Sequence, residues 1–233
     1  MSTLLLRLAA PIQAWGAESK FERRVTLREP TKSGVIGLLA AALGRMRGEC
    51  LNDLSALNFG VRIDQPGQLL RDFHTARPTG AKNPYVTERY YLMDAVFVVG
   101  LEGEPGFLCD LEKAIQSPFY PLYLGRRSCP PEGRITLGLR DEPLKQALAQ
   151  ESWQASNWYQ KRELKRKNPQ HLTLVLDSPE AGVLRRRDMP ISFSQRHRKY
   201  MYRYISDLPN TVDIKDINPV VKTEHDPFEG LEA

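Results

Sequence analysis

The run Glu29-Pro30-Thr31-Lys32-Ser33-Gly34-Val35-Ile36-Gly37-Leu38-Leu39-Ala40-Ala41-Ala42-Leu43-Gly44 constrains this chain more than any other stretch. Pro30 disfavours helix at Glu29, so a helix starts after it. Thr31 is placed to cap the first free N–H groups. Val35, Leu38, Leu39, Ala42, Leu43 and Met46 recur at helical spacing and predict one apolar face on a helix over about 31–47. Arg45 and Arg47 then fall in its last turn, where cations suit the dipole. Gly34 and Gly37 each cost about 1 kcal/mol relative to Ala in a helix. They therefore either admit close packing on a sheet or clear space for a ligand. Lys32 and Ser33 sit at the helix mouth, with Arg23, Arg24 and Arg28 just upstream. A helix start ringed by cations suits a phosphate. A nucleotide P-loop is excluded, because no glycine precedes Lys32-Ser33. A nucleic-acid backbone fits better.

The distribution of charge points the same way. The 233 residues carry a net +5, but residues 206–233 hold seven acids against two bases, so the other 205 residues carry +10. The bases cluster at Lys161, Arg162, Lys165, Arg166 and Lys167, at Arg185, Arg186 and Arg187, and at Arg196, Arg198, Lys199 and Arg203. A single basic run is usually a solvated face. Three runs interleaved with Tyr200, Tyr202 and Tyr204 instead suggest a polyanion whose bases can stack. No apolar run reaches the roughly 18–20 residues of a membrane span. Met1 to Arg7 is too short for a signal peptide and reads as a first strand. Cys50, Cys109 and Cys129 form no pair motif and no metal spacing, which suits a reducing cytoplasm and predicts no metal or cofactor.

In chain order, Thr3 to Ala9 reads as a buried strand and Leu57 to Ile63 as an alternating one. Between them, Gln13 and Trp15 lie in a turn, where Trp15 is either a core plug or a base-stacking platform. Residues 70–90 are polar and basic and carry His74, Arg77, Lys82 and Arg89. They predict a protruding hairpin at about 72–92. Tyr91 to Val99 reads as one apolar strand, and a short helix begins at Asp110. In Tyr120 to Pro131, Gly125 permits a close backbone approach, and Arg126 and Arg127 are natural phosphate donors. Tyr123 and Ser128 flank them. This order predicts an α+β, ferredoxin-like (RRM-like) βαββαβ domain over 1–133 with one open sheet face. A smaller β-rich part is expected over 134–205, with a helix at Leu144 to Trp158 and a strand at His171 to Leu176. An acidic, partly disordered tail is expected over 206–233.

Leu5-Leu6-Arg7-Leu8-Ala9, Gln13-Ala14-Trp15-Gly16, Pro30-Thr31-Lys32-Ser33-Gly34 with Gly37-Leu38-Leu39, Asp72-Phe73-His74-Thr75 and Tyr123-Leu124-Gly125-Arg126-Arg127-Ser128-Cys129-Pro130 together resemble the CasD family. That family belongs to the type I-E Cascade of CRISPR systems, within the RAMP superfamily. The resemblance is specific over 1–131 and looser beyond, where Arg196 to Ile205 fits the C-terminal strand region. It implies a subunit that caps the 5′ handle of CRISPR RNA, and a thumb hairpin lying against the RNA. It also implies a backbone subunit (CasC) and a large subunit (CasA) as partners, and at most indirect contact with target DNA. It places Thr31, Lys32 and Ser33 and the loop at Gly125, Arg126 and Arg127 near the handle, and with the basic and aromatic residues read above the expected RNA-binding set is Gln13, Trp15, Arg23, Arg24, Arg28, Thr31, Lys32, Ser33, His74, Arg77, Arg89, Tyr123, Gly125, Arg126, Arg127, Ser128, Arg196 and Arg198.

A processing endoribonuclease is the alternative. It would need a base for the 2′-OH and an acid at the leaving oxygen. His74, His197, Tyr90, Lys32 and Lys199 are the candidates. None shows a local arrangement that commits it, and the adjacent Lys-His pair of the processing relatives has its nearest likeness in Arg196-His197-Arg198-Lys199, at a different place in the chain. His171 opens a strand and His225 lies in the tail.

Overall fold

A computed structural model describes residues 1–16, 23–77, 79–80, 83–166, 171–179, 184–214 and 217. The hairpin-tip residues Pro78 and Lys82, the basic residue Lys167 and the expected tail beyond 217, with His225, lie outside the described residues. The fold is mixed α+β. Its elements are β1 (Ser2–Ala9), β2 (Ile12–Gln13), β3 (Arg23–Arg24), α1 (Lys32–Ala42), α2 (Asn52–Ser55), β4 (Asn58–Gln65), β5 (Gln68–Ala76) and β6 (Tyr85–Met93). They are followed by β7 (Val96–Gly103), α3 (Pro105–Gln116), β8 (Thr136–Arg140), α4 (Leu144–Gln150), α5 (Asn157–Leu164), β9 (Leu172–Asp177), β10 (Leu184–Ser192) and β11 (Lys199–Val212).

Seven strands form one antiparallel sheet in the order β10-β11-β9-β4-β7-β1-β8. Its register is clean at the centre, with Leu4 opposite Leu101 and Val61 opposite Val99. Side chains alternate between two cores, as strand geometry requires. Leu4, Leu6 and Leu8 of β1 meet Phe97, Val99 and Val35 in one. Leu5 and Val98 meet Leu148, Trp153 and Tyr159 in the other. Both faces of the sheet are therefore covered, which corrects the expected open face. The central strand even buries a charge. Arg62 pairs with Asp64 and donates to the carbonyls of Leu148, Glu151 and Ser152 at 2.6–2.7 Å, so it caps the end of α4.

A second sheet carries the hairpin β5–β6, paired in register from Gln68↔Met93 to Ala76↔Tyr85. Short strands β2 and β3 lie along β6. The single strand expected from Tyr91 to Val99 is two. Asp94 has φ 53°, so the chain breaks there and crosses from the hairpin sheet into the main one. The helix expected from Asp110 starts earlier, at Pro105, because the Glu104 carboxylate accepts from the N–H groups of Gly106 and Phe107. Those bonds hold the Glu104 carboxyl below its usual range. Expected helix 144–158 is broken into α4 and α5. The expected tail from 206 begins inside the sheet, since β11 runs to Val212 and Ile214 and Ile217 are buried.

Four charges lock α1 to the C-terminal strands. The Thr31 hydroxyl caps the helix by accepting from the Gly34 N–H at 3.1 Å, as its sequence predicts. The next contact was not foreseeable locally. The main-chain N–H of Lys32 donates to Asp188 Oδ2 at 2.9 Å, and its ammonium donates to Asp177 Oδ2 at 2.9 Å and to the Leu57 carbonyl at 2.7 Å. Arg203 of β11 binds Asp188 through two bonds of 2.6 and 2.9 Å and also binds Asp177. Burial opposes the Arg203 charge, but the bonds to Asp188 and the charges of both carboxylates outweigh it and raise its pKa further. Asp188 reaches inward from a bulge in β10 between Arg186 and Met189. Replacing Asp188 with Ala leaves Arg203 and the first N–H of α1 unmatched inside the protein. The expected cost is about 3–5 kcal/mol of unfolding free energy, read from urea denaturation; a loss near zero would show that the network is incidental.

Candidate nucleic-acid interface

The exposed side of α1 is the floor of a groove of about 820 Å³. Ser33, Gly37 and Ala41 repeat at i, i+4 and i+8 along it, so the floor is shallow and small. One wall is the loop after α3. Its backbone is bound to the end of α1, where the N–H groups of Phe119 and Tyr120 donate to the Ala42 and Ala41 carbonyls at 3.0 and 3.2 Å. That satisfies carbonyls a helix end leaves free and sets Tyr120 and Tyr123 beside the floor. The other wall is the β10–β11 connection, with Phe193 lying over Gly37 and Tyr200 beyond it.

Arg45, Arg47, Arg127 and Arg198 line the same groove, and no acid does among the described residues. Arg45 and Arg47 were expected in the last helical turn, with Met46 on the apolar face. The helix stops at Ala42 instead, and Gly44 at φ 75° turns the chain, so Met46 is exposed and both arginines line the groove. Arg45 is anchored by Asp53, whose carboxyl the guanidinium holds below its usual range. Arg47, Arg127 and Arg198 are exposed and make no ion pair with the described residues.

Gly125 shapes the wall. Its φ is 91°, and a Cβ there would stand 1.6 Å from the Ala14 carbonyl oxygen. The backbone it approaches is thus the protein's own, not a ligand's. Arg126 stacks on Tyr91 at 4.6 Å and donates to the Arg24 carbonyl at 3.0 Å, while its Nη1 is buried with no partner among the described residues. Burial would raise the Tyr91 phenol, but hydrogen bonding with Ser128 and then Arg126 and Arg89 brings it below its usual value. Arg89 Nε is also buried and unpartnered among the described residues. The Arg23 guanidinium donates to the Tyr90 hydroxyl at 3.0 Å from the neighbouring strand. Arg23, Arg24, Arg89, Arg126 and Ser128 therefore gather at the hairpin base.

The remaining expected residues divide. His74 and Arg77 are on the hairpin, where His74 Nε2 lies 2.9 Å from Asp72. Arg28 is exposed before α1, and Arg196 is exposed in the β10–β11 connection. Gln13, Trp15, Thr31 and Lys32 are buried, which makes them supports and not contacts. Trp15 is the core plug: its ring lies where a Gly34 Cβ would come within 2.9 Å, and its indole N–H donates to Gln13 at 3.1 Å. The phosphate expected at the mouth of α1 is replaced by the Asp188 carboxylate. Arg47, Tyr120 and Phe193 were not foreseen; only the aromatic density around Tyr120 carried a signal.

Residues 3–205 match the family model for CRISPR-associated protein (Cas_Cas5). The chain belongs to this CRISPR-associated family. The chain is 41% identical over 161 residues to the "CRISPR system Cascade subunit CasD" of Escherichia coli (strain K12), with 59% of this chain and 70% of the relative aligned. A solved structure titled "CRISPR RNA-guided surveillance complex" superposes with a TM-score of 0.77 at 32% identity, over 93% of this chain and 94% of that one. Another, "Crystal structure of Cas protein", gives 0.70 at 38% identity over 94% and 98%. The CRISPR-associated match spans the groove floor, both walls and the hairpin. No helix among the described residues is long and apolar enough to cross a membrane. Gly125→Ala should cost at least about 3 kcal/mol through overlap with Ala14 and left-handed strain; full retention of the thermal midpoint would refute the close approach.

Proposed function

We propose that this protein is a non-catalytic subunit of a Cascade-type surveillance complex that binds and caps the 5′ handle of CRISPR RNA. The observation that carries the reading is the groove on α1, with a small-residue floor, aromatic walls and four arginines. A single strand needs that combination, because rings stack bases and guanidiniums take phosphates. The E. coli relative is named a Cascade subunit, and one superposing structure is titled a CRISPR RNA-guided surveillance complex. Arg23 and Arg24, exposed on the strand beside β6, add cations for a second phosphate at the hairpin.

In this reading the RNA-binding domain is ferredoxin-like over about 1–133, with 134–205 as a smaller C-terminal part. Strand order β4-β7-β1-β8, with α1 and α3 contributing to one core, supports it. The β5–β6 hairpin acts as the thumb and lies against RNA and the backbone subunit CasC, with CasA the second partner, in the cytoplasm. Its exposed Leu69, Phe73, Tyr85 and Val86 support a protein-facing role.

The deciding experiment is incubation of purified protein with repeat-derived RNA in EDTA. Retention of uncut handle-bearing RNA is expected; a single cut at the handle boundary would make the protein a processing nuclease. Arg127→Ala with Arg198→Ala should then weaken handle binding and lower the slope of log K against log salt by about 1.4, from roughly 0.7 per single-strand phosphate. An unchanged slope would remove the groove from the interface.

A further inference from the structure

The second core, on the sheet face away from α1, carries a surface that the groove does not use. Helix α5 is anchored from below. Tyr159 sits edge-on to Trp153 at 6.2 Å, Gln160 donates to the Trp153 and Ala155 carbonyls, and Glu163 is fully buried. The outward positions follow the helical period. Trp158, Lys161, Arg162 and Lys165 stand at i, i+3, i+4 and i+7, with Arg166 one position further, and all are exposed. Among the described residues of this helix no acid is exposed, and from Trp158 to Lys165 at 1.5 Å per residue the face is about 10 Å long.

Its order is specific. Trp158 is 52% exposed, unlike Trp15 and Trp153, which are buried. Its ring stands perpendicular to Tyr159 at 5.7 Å, and the Arg162 guanidinium lies over one face of it at 5.1 Å, which leaves the opposite face for a base. Buried Glu163 orients both guanidiniums, Arg162 at 3.2 Å and Arg166 at 2.9 Å, while each stays about half exposed. A buried carboxylate holding two half-exposed arginines, beside an exposed indole and two exposed lysines, is built for a partner. Positive charge selects a polyanion, and the indole selects one with rings to stack.

We propose that the outer face of α5 is a second single-strand nucleic-acid site, independent of the groove. It holds one base on Trp158 and neighbouring phosphates on Lys161, Arg162, Lys165 and Arg166. Cations and a ring, the groups that carry the site, do not distinguish deoxyribose from ribose, so it takes DNA and RNA alike.

Trp158 is also the reporter, since it is the exposed member of the chain's three tryptophans. With full-length protein, oligo(dT) and oligo(U) should both protect its emission from acrylamide. Lys161→Glu with Lys165→Glu should weaken that binding at least about tenfold and lower its salt slope by about 1.4, while leaving retention of handle RNA intact. Trp158→Ala should weaken oligonucleotide binding, followed by anisotropy, by about tenfold. Protection should persist in the Arg127→Ala/Arg198→Ala protein. No protection, or equal protection by poly-glutamate, would overturn the site. Loss of protection in the groove variant would assign the strand to the groove instead, whereas failure of handle retention alone would strike only the proposed capping role.

Discussion

The buried square of Lys32, Asp177, Arg203 and Asp188 is the contact on which the groove depends. It joins the first residue of α1 to the end of β9 and to the interiors of β10 and β11, elements far apart in the chain. Removing charges from water is costly, and such a group is stable only when each charge is matched. Here each carboxylate meets both an N–H or ammonium from α1 and the Arg203 guanidinium. The reward is positional. The β10–β11 connection with Phe193 and Arg198, and Tyr200 at the start of β11, are held beside the helix that forms the groove floor.

The opposite wall is set by hydrogen bonds of the main chain. Phe119 and Tyr120 close the end of α1, and Gly125 lets the same loop run against Ala14. One short helix therefore organises both walls. Its N-terminus binds the C-terminal strands through charge, and its C-terminus binds the loop after α3 through carbonyls. Its lateral face is left with Ser33, Gly37 and Ala41, none of which has a side chain long enough to fill the space between the walls.

What the sequence revealed was what local chemistry determines. Pro30 and Thr31 set the helix start because a cap acts within three residues. The hairpin was legible because a polar segment separated two apolar runs. The end of α1 was not, since its period continues through Met46 while Gly44 and the covering loop decide where it stops. Asp94 hid a strand break for the same reason: an apolar run gave no local sign of it. Lys32 was misread most consequentially. Its partners Asp177 and Asp188 lie 145 and 156 residues away, so nothing near it in the chain said that its charge was already matched.

That misreading also explains how the basic residues are spent. The positive charge of the body does not form one patch. Arg62, Lys32 and Arg203 are buried against their own acids and serve packing. Arg186 is bound to Glu29, beside the same helix start. An anion at the mouth of α1 would compete with Asp188, so the helix end is closed to a ligand and its side is open. Charges left over for a polyanion then fall into separate groups: Arg47, Arg127 and Arg198 in the groove, the hairpin base, and the outer face of α5 on the far side of the sheet. A chain with these groups facing different ways is suited to hold extended nucleic acid at several points. Each basic cluster must be read with its buried acids before it is counted as a contact.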